Sequence, residues 1–176
     1  MVKGFTLWCT GLPCSGKSTI IDLLEKKLKR KRYKYLVEKL DGDIVRKSLT
    51  KDLGFSPEDR KTNLERVTFV AKLLSRNGVG VLCAFVSPNI EVRKSIRENT
   101  TNFIEVHVHA SPTTCAKRDV KGMWQKAKEG KIKGFTGYDA PYEMPRNPEI
   151  FIETEWETVE QSVAKIIRYL RQRMLI

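Results

Sequence analysis

Eight residues, Gly11-Leu12-Pro13-Cys14-Ser15-Gly16-Lys17-Ser18, fit the spacing G-x-x-x-x-G-K-[ST], and Thr19 follows them. In this pattern Gly11 and Gly16 let the backbone curl so that successive amide N–H groups face one anion. Lys17 brings a point charge to β- and γ-phosphates, and the Ser18 hydroxyl can ligate Mg²⁺. A second group lies further on, in Asp41-Gly42-Asp43. One carboxylate there can hold Mg²⁺ or its waters, and the other can accept a proton from an attacking hydroxyl. Arg46, Phe55, Arg60 and Asn63 come next. Two guanidiniums and an amide suit an anionic group and a base or sugar edge, and Phe55 suits stacking on a base. Each has a plainer reading: a chance glycine turn, an Asp-Gly turn, solvated arginines, a hydrophobic staple. Their order along one chain favours the chemistry.

The elements that must position these residues are legible. Phe5–Cys9 reads as a buried strand feeding the glycine loop, and Ser18 to about Leu28 reads as the helix after it. A glycine loop between strand and helix N-terminus concentrates positive potential on a phosphate. Further strands are expected at Tyr35–Leu40, Val79–Val86, Phe103–His109 and Ile150–Glu153. Near-continuous apolar runs alternating with helices predict an α/β fold on a parallel sheet. The acidic turn then falls at the carboxyl end of the second strand, where ligands of such sheets bind. Ser56-Pro57, Ser87-Pro88 and Ser111-Pro112 read as helix N-caps followed by proline, and Thr154-Glu155-Trp156-Glu157 as a capping box. The stretch from Lys121 to Asn147 reads as irregular and too long for an ordinary loop, which suggests a lid.

Length and composition set the outer bounds. The chain has 176 residues and is 40% hydrophobic, enough for one domain with a proper core. It lacks an apolar run of membrane-spanning length and a secretory leader pattern, so a soluble, cytoplasmic protein is expected. Cys9, Cys14, Cys83 and Cys115 form no C-x-x-C, which argues against a zinc cluster or disulfide framework. Cys14, beside a helix N-terminus, is expected to have a lowered pKa, although space-filling is its simpler role. The net charge is +12. One basic cluster, Lys26 to Arg32, follows the first helix and complements its dipole. Another lies between Thr113 and Gly137, with seven basic and two acidic residues. It suits a highly charged nucleotide; no aromatic RNA-recognition signature accompanies it.

The P-loop, then Leu40-Asp41-Gly42-Asp43-Ile44-Val45-Arg46, then Asp52-Leu53-Gly54-Phe55-Ser56-Pro57-Glu58-Asp59-Arg60-Lys61-Thr62-Asn63 resemble the adenylylsulfate (APS) kinase family. The likeness continues through Phe85-Val86-Ser87-Pro88, Lys117-Arg118-Asp119-Val120-Lys121-Gly122, Lys133-Gly134-Phe135-Thr136-Gly137 and Asn147-Pro148-Glu149-Ile150. The resemblance implies a nucleoside-monophosphate-kinase-like P-loop fold of three layers, with a five-stranded parallel sheet and a lid at about 113–147 within one domain, 1–176. It implies transfer of the ATP γ-phosphoryl group to the 3′-hydroxyl of APS, giving PAPS. By that resemblance Gly11 to Ser18 hold the ATP phosphates and Mg²⁺, with Arg118 near the ATP adenine. Asp41 and Asp43 handle metal and proton; Lys17 and Ser87 join them as catalytic candidates, Ser87 matching a serine described as an active-site phosphoserine. Arg46, Arg60, Asn63 and Lys133 would bind APS, and Phe55 and Phe135 would sandwich its adenine. A homodimer and a functional link to ATP sulfurylase are also implied. The chain departs from the family pattern at Ile44, at Lys47-Ser48 and at Asn89-Ile90, while Arg93 is kept. The competing readings are a kinase of another small hydroxyl substrate and a catalytically silent nucleotide- or RNA-binding protein.

Overall fold

A computed structural model describes residues 3–30 and 35–176. Lys31 and Arg32 of the first basic cluster lie outside the described residues. The elements run β1 (Phe5–Thr10), α1 (Lys17–Leu28), β2 (Val37–Asp41), α2 (Gly42–Val45), α3 (Pro57–Arg76), β3 (Gly80–Ala84), α4 (Ile90–Asn99), β4 (Phe103–His109), α5 (Pro112–Lys117), α6 (Met123–Lys128), β5 (Ile150–Glu153) and α7 (Val159–Gln172). The five strands form one parallel sheet in the order β2-β3-β1-β4-β5. The sequence expectation of a five-stranded parallel α/β sheet is borne out, with β2 starting later and β3 ending earlier than expected.

Alternation along the strands sorts side chains into two cores. Phe5, Leu7 and Cys9 of β1, Leu82 and Ala84 of β3, and Ile104, Val106 and Val108 of β4 pack with Ile20, Ile21 and Leu24 of α1 and Val163, Ile166 and Leu170 of α7. The opposite face carries Trp8, Val81, Cys83 and Phe85 against Leu64, Val67 and Ala71 of α3 and Ile96 of α4. Burial on both faces explains why these strands read as apolar runs rather than alternating patterns. A third cluster forms where the lid meets the phosphate loop: Leu12, Cys115, Trp124, Ala127 and Phe135.

Helix caps follow the sequence in two of four places. Ser56 accepts from the Asp59 amide and Ser111 from the Thr114 amide, each with proline next. Ser87 does not cap α4; Asn89 does, its side chain accepting from Val92 N. The capping box of α7 is Thr158 with Gln161, not Thr154 with Glu157. The displaced residues serve tertiary contacts instead. Glu155 accepts from the Ser111 hydroxyl at 2.6 Å, and Thr154 reaches the phosphate loop. The stretch expected to be irregular contains α6, whose first turn is held by both Asp119 carboxylate oxygens. Among the described residues no helix is long and apolar enough to cross a membrane.

The end of the lid is tied to the second face of the sheet. Arg93 of α4 donates to the Ser87 carbonyl, the Glu143 carbonyl and the Glu105 carboxylate at 2.6, 2.6 and 2.8 Å. Glu143 accepts from the Ile90 amide at 2.6 Å, so the helix start at Asn89-Ile90 is clamped by the end of the lid. Leu24 lies at the centre of the α1 core and is fully buried. Replacing it with alanine is expected to cost about 2–5 kcal/mol, read as a lower urea midpoint with unchanged slope.

Candidate active site

The phosphate loop follows β1 directly. Gly11 has φ +152°, and a Cβ there would lie 2.2 Å from the Val108 carbonyl oxygen. Gly16, at φ +103°, is the N-cap of α1. Both positions therefore need glycine for backbone reasons before any ligand is considered. Lys17 is buried and donates to the Gly11 and Leu12 carbonyls at 2.9 and 2.7 Å. Burial pulls its pKa down to about 8. Cys14 has φ +66° and a pKa raised by burial, then by Asp119. The expected lowering fails because desolvation outweighs the Lys17 charge.

Two more contacts hold the loop. Trp124 of α6 donates its indole N–H to the Pro13 carbonyl at 3.2 Å. Thr154, just past β5, donates to the Ser15 carbonyl at 2.9 Å and accepts from Arg118 at 2.8 Å. Arg118 also donates to the Thr154 carbonyl, so both guanidinium nitrogens converge on one residue. Sequence reasoning missed Thr154 and Trp124. The position of Thr154 at the carboxyl end of the last strand was the available signal.

The acidic turn divides its labour. Asp41 caps α2 through one oxygen, accepting from the Asp43 amide at 2.9 Å. Its other oxygen accepts from the Ser18 hydroxyl at 2.6 Å. Asp43 points elsewhere, and its carboxylate meets the Lys121 ammonium from the lid. Ser18 and Asp41 thus present two hard oxygens at the mouth of the loop. That donor set fits Mg²⁺, which takes few protein ligands and completes its shell with phosphate and water. Among the described residues no group of three or more His, Cys, Asp or Glu side chains is placed to hold a metal alone.

Arg46 and Arg60 converge. Arg46 donates to the Gly54 carbonyl at 2.8 Å and lies over the Phe55 ring, 4.2 Å from its centroid. Arg60 donates to the Phe55 carbonyl and crosses to Gly134 and Thr136 of the lid. Burial and then the Arg60 charge lower the Arg46 pKa. Among the described residues neither guanidinium has a carboxylate partner within ion-pair distance. Two cations held together, with the Asp59 charge acting on Arg46 less than the Arg60 charge does, favour an anion between them.

Two expectations change here. Asn63 does not stand beside Arg60 as part of a clamp: it is buried and its amide oxygen accepts from Thr50 at 2.8 Å. Phe55 is 63% exposed but Phe135 only 6%, packed edge-on to Trp124 with centroids 5.2 Å apart. Phe55 is the ring open for stacking in this state. Lys133 is exposed on the lid. Ser87 is buried, at φ +38°, with its oxygen accepting from Trp8 Nε1 at 3.0 Å and lying 3.0 Å from the Thr10 hydroxyl. A hydroxyl so enclosed is a packing group, and the structure gives no access for it to carry phosphate. A separate cleft of ≈ 460 Å³, lined by His107, His109, Tyr138 and Tyr142 among others, shares Leu12 with the loop but none of the acidic turn or arginines.

This sheet order, glycine loop and acidic turn define a P-loop kinase. The comparisons narrow the class. The family model described as adenylylsulphate kinase matches residues 3–153, and the chain belongs to that family. It is 57% identical over 165 residues to a probable adenylyl-sulfate kinase of Pseudomonas aeruginosa, covering 94% of this chain and 76% of that one. It is 52% identical over 170 residues to an adenylyl-sulfate kinase of Rippkaea orientalis, covering 97% and 93%. The structure of the Mycobacterium tuberculosis APS kinase CysC in complex with AMPPNP and APS superposes with a TM-score of 0.91 at 37% identity, over 97% of this chain and 99% of that one. A gluconokinase from Sinorhizobium meliloti, 14% identical with a TM-score of 0.59, shares the fold.

Two outcomes follow. Ser87→Ala leaves the buried Trp8 indole N–H without its acceptor and is expected to cost about 1–3 kcal/mol of stability, read by urea denaturation, while phosphoryl transfer continues. For Lys17 the folded pKa of about 8 lies below the ordinary 10.5. The folded state therefore holds fewer protons in that window, and stability rises with pH between those values. The unfolding free energy of the wild type relative to Lys17→Met is expected to climb from pH 8 to 10.5, measured by denaturant titration at each pH.

Proposed function

We propose that this protein is an adenylyl-sulfate kinase that transfers the γ-phosphoryl group of ATP to the 3′-hydroxyl of APS, giving PAPS and ADP. Family membership across residues 3–153 supports the activity. The convergence of Arg46 and Arg60 beside the exposed Phe55 ring is the single observation that carries the substrate class: an anionic molecule bearing a flat base.

The roles divide as the geometry suggests. Loop amides and Lys17 take the β- and γ-phosphates, with Lys17 exchanging its two carbonyl partners for phosphate oxygens. Ser18 and Asp41 would hold Mg²⁺, which neutralises phosphate charge when bound. Asp43, whose carboxylate is free of the Ser18 contact, accepts the 3′-hydroxyl proton. Arg46 and Arg60 receive the phosphosulfate, and Phe55 receives the adenine. Asn63 acts through Thr50 and the shape of the pocket floor rather than by direct contact. Arg118, held by Thr154, flanks the ATP adenine. The segment 113–147 forms a lid of a single-domain enzyme and keeps water from the transfer. Ser87 serves as support beneath this site.

The test is PAPS formation from APS and Mg-ATP by the purified protein, followed chromatographically, with Asp43→Asn and Lys17→Ala alongside. The wild type is expected to make PAPS. Asp43→Asn is expected to lose about 10²–10⁴-fold in kcat while still binding APS. Absence of PAPS, together with no APS binding, overturns the reading; ATP turnover with another small hydroxyl compound would put a different kinase in its place.

A further inference from the structure

His107 and His109 are the chain's only histidines. Both line the ≈ 460 Å³ cleft that stands apart from the acidic turn and the paired arginines. Strand geometry puts them together, since residues two apart share one face of a strand. On that face β5 brings Phe151 into register with His107. Helices α3 and α4 pack on this side of the sheet against β1 and β3. Over β4 the end of the lid takes their place, stacking Tyr142 on His107 with ring centroids 5.8 Å apart. His107 is 3% exposed. Burial first, then the His109 and Arg93 charges, pull its pKa down to about 4. The ring is therefore neutral and carries one N–H and one bare nitrogen. Among the described residues no hydrogen bond reaches its side chain; His109, Tyr142 and Phe151 meet it as rings. A buried polar group without a partner is costly, and the cleft is the side from which a partner can come.

The surroundings define the chemistry of that partner. Asp139, the carboxylate of the lining, is already spent on the Gly134 and Phe135 amides at 2.8 and 2.5 Å, so it does not call for a cation. Arg93, beyond Tyr142, is committed to Glu105 and to the Ser87 and Glu143 carbonyls, so it does not call for an anion. The Tyr142 hydroxyl lies 3.0 Å from that of Thr10. What remains is ring surface. Tyr138 stands at the rim, 54% exposed, and Pro112 and Pro141 add apolar faces. Flat aromatic molecules gain most from such walls, and the volume lies within the range of small-molecule sites. We propose that this cleft binds an uncharged, planar heteroaromatic molecule of about nucleobase size, whose polar edge hydrogen-bonds to His107 while Tyr138 packs on its face. The site shares Leu12 with the phosphate loop but none of the groups assigned to phosphoryl transfer, so it stands whether or not the kinase reading holds.

The histidine count makes the test selective, because every imidazole signal in an NMR spectrum of the chain comes from this cleft. Hypoxanthine is the probe; cyclohexanol and zinc chloride are the comparators. Each is titrated into the full chain, alone and with a non-hydrolysable ATP analogue and APS at saturation. The expected result is a saturable shift of both imidazoles by hypoxanthine, with a dissociation constant on the order of 1 mM or tighter, and the shift persists with the nucleotides present. His107→Phe keeps an aromatic ring in place and removes the nitrogens. It is expected to weaken binding at least about tenfold, read from the His109 signals. Tyr138→Ala, at an exposed position, is expected to weaken it by about as much. No shift up to the solubility limit of hypoxanthine overturns the proposal. So does a shift that the nucleotides abolish, or wild-type affinity in either variant. Equal affinity for cyclohexanol overturns the planar ligand, and imidazole shifts with zinc but not with hypoxanthine make the pair a metal site instead.

Discussion

A phosphate loop must hold several amide groups in line for one anion. Its carbonyls point the other way, and each needs a donor. In this protein those donors come from two distant parts of the chain and from the loop's own lysine. Trp124 serves Pro13, Thr154 serves Ser15, and Lys17 itself serves Gly11 and Leu12. The rest of the architecture follows from that need. β5 must end where Thr154 reaches the loop, and α6 must lie across it. Arg118 then falls into place because Thr154 is already there.

The lysine shows how the site balances competing demands. A buried ammonium is costly, and the depressed pKa records that cost. Two carbonyls compensate in part. Phosphate oxygens compensate further, so ligand binding relieves a tension that folding creates. The paired arginines repeat this logic on the acceptor side. Arg46 and Arg60 repel each other, yet backbone carbonyls of residues 53–55 and of the lid hold them in register. An anion placed between them removes the repulsion.

Much of this was legible in the sequence, and the reasons differ by element. β1 was clear because a strand buried on both faces is largely apolar, and β4 and β5 because β-branched and aromatic residues dominate them. Gly11, Gly16 and Lys17 were clear because backbone geometry and phosphate charge permit few alternatives. Asp41 and Asp43 were found by their place at a strand's carboxyl end, but their separate contacts needed coordinates. The misplaced caps share one cause. Ser87, Thr154 and Glu155 have the right local chemistry for capping, and each is claimed by a partner far along the chain. Local patterns do not reveal such competition. Asn63 failed similarly: helical spacing put it on the Arg60 side of α3, whereas Thr50 draws it inward.

The three tryptophans occupy three unlike environments. Trp8 is sealed in the sheet's second core with its N–H on Ser87 and its ring stacked on Phe85. Trp124 joins lid to phosphate loop through Pro13. Trp156 is largely open to solvent in the turn before α7. Indole emission shifts with polarity and hydrogen bonding, so the chain carries a built-in optical reference in its core, a reporter at its moving joint and a solvent standard at its surface. Light absorbed by the middle one reads the lid's attachment to the loop without any added label.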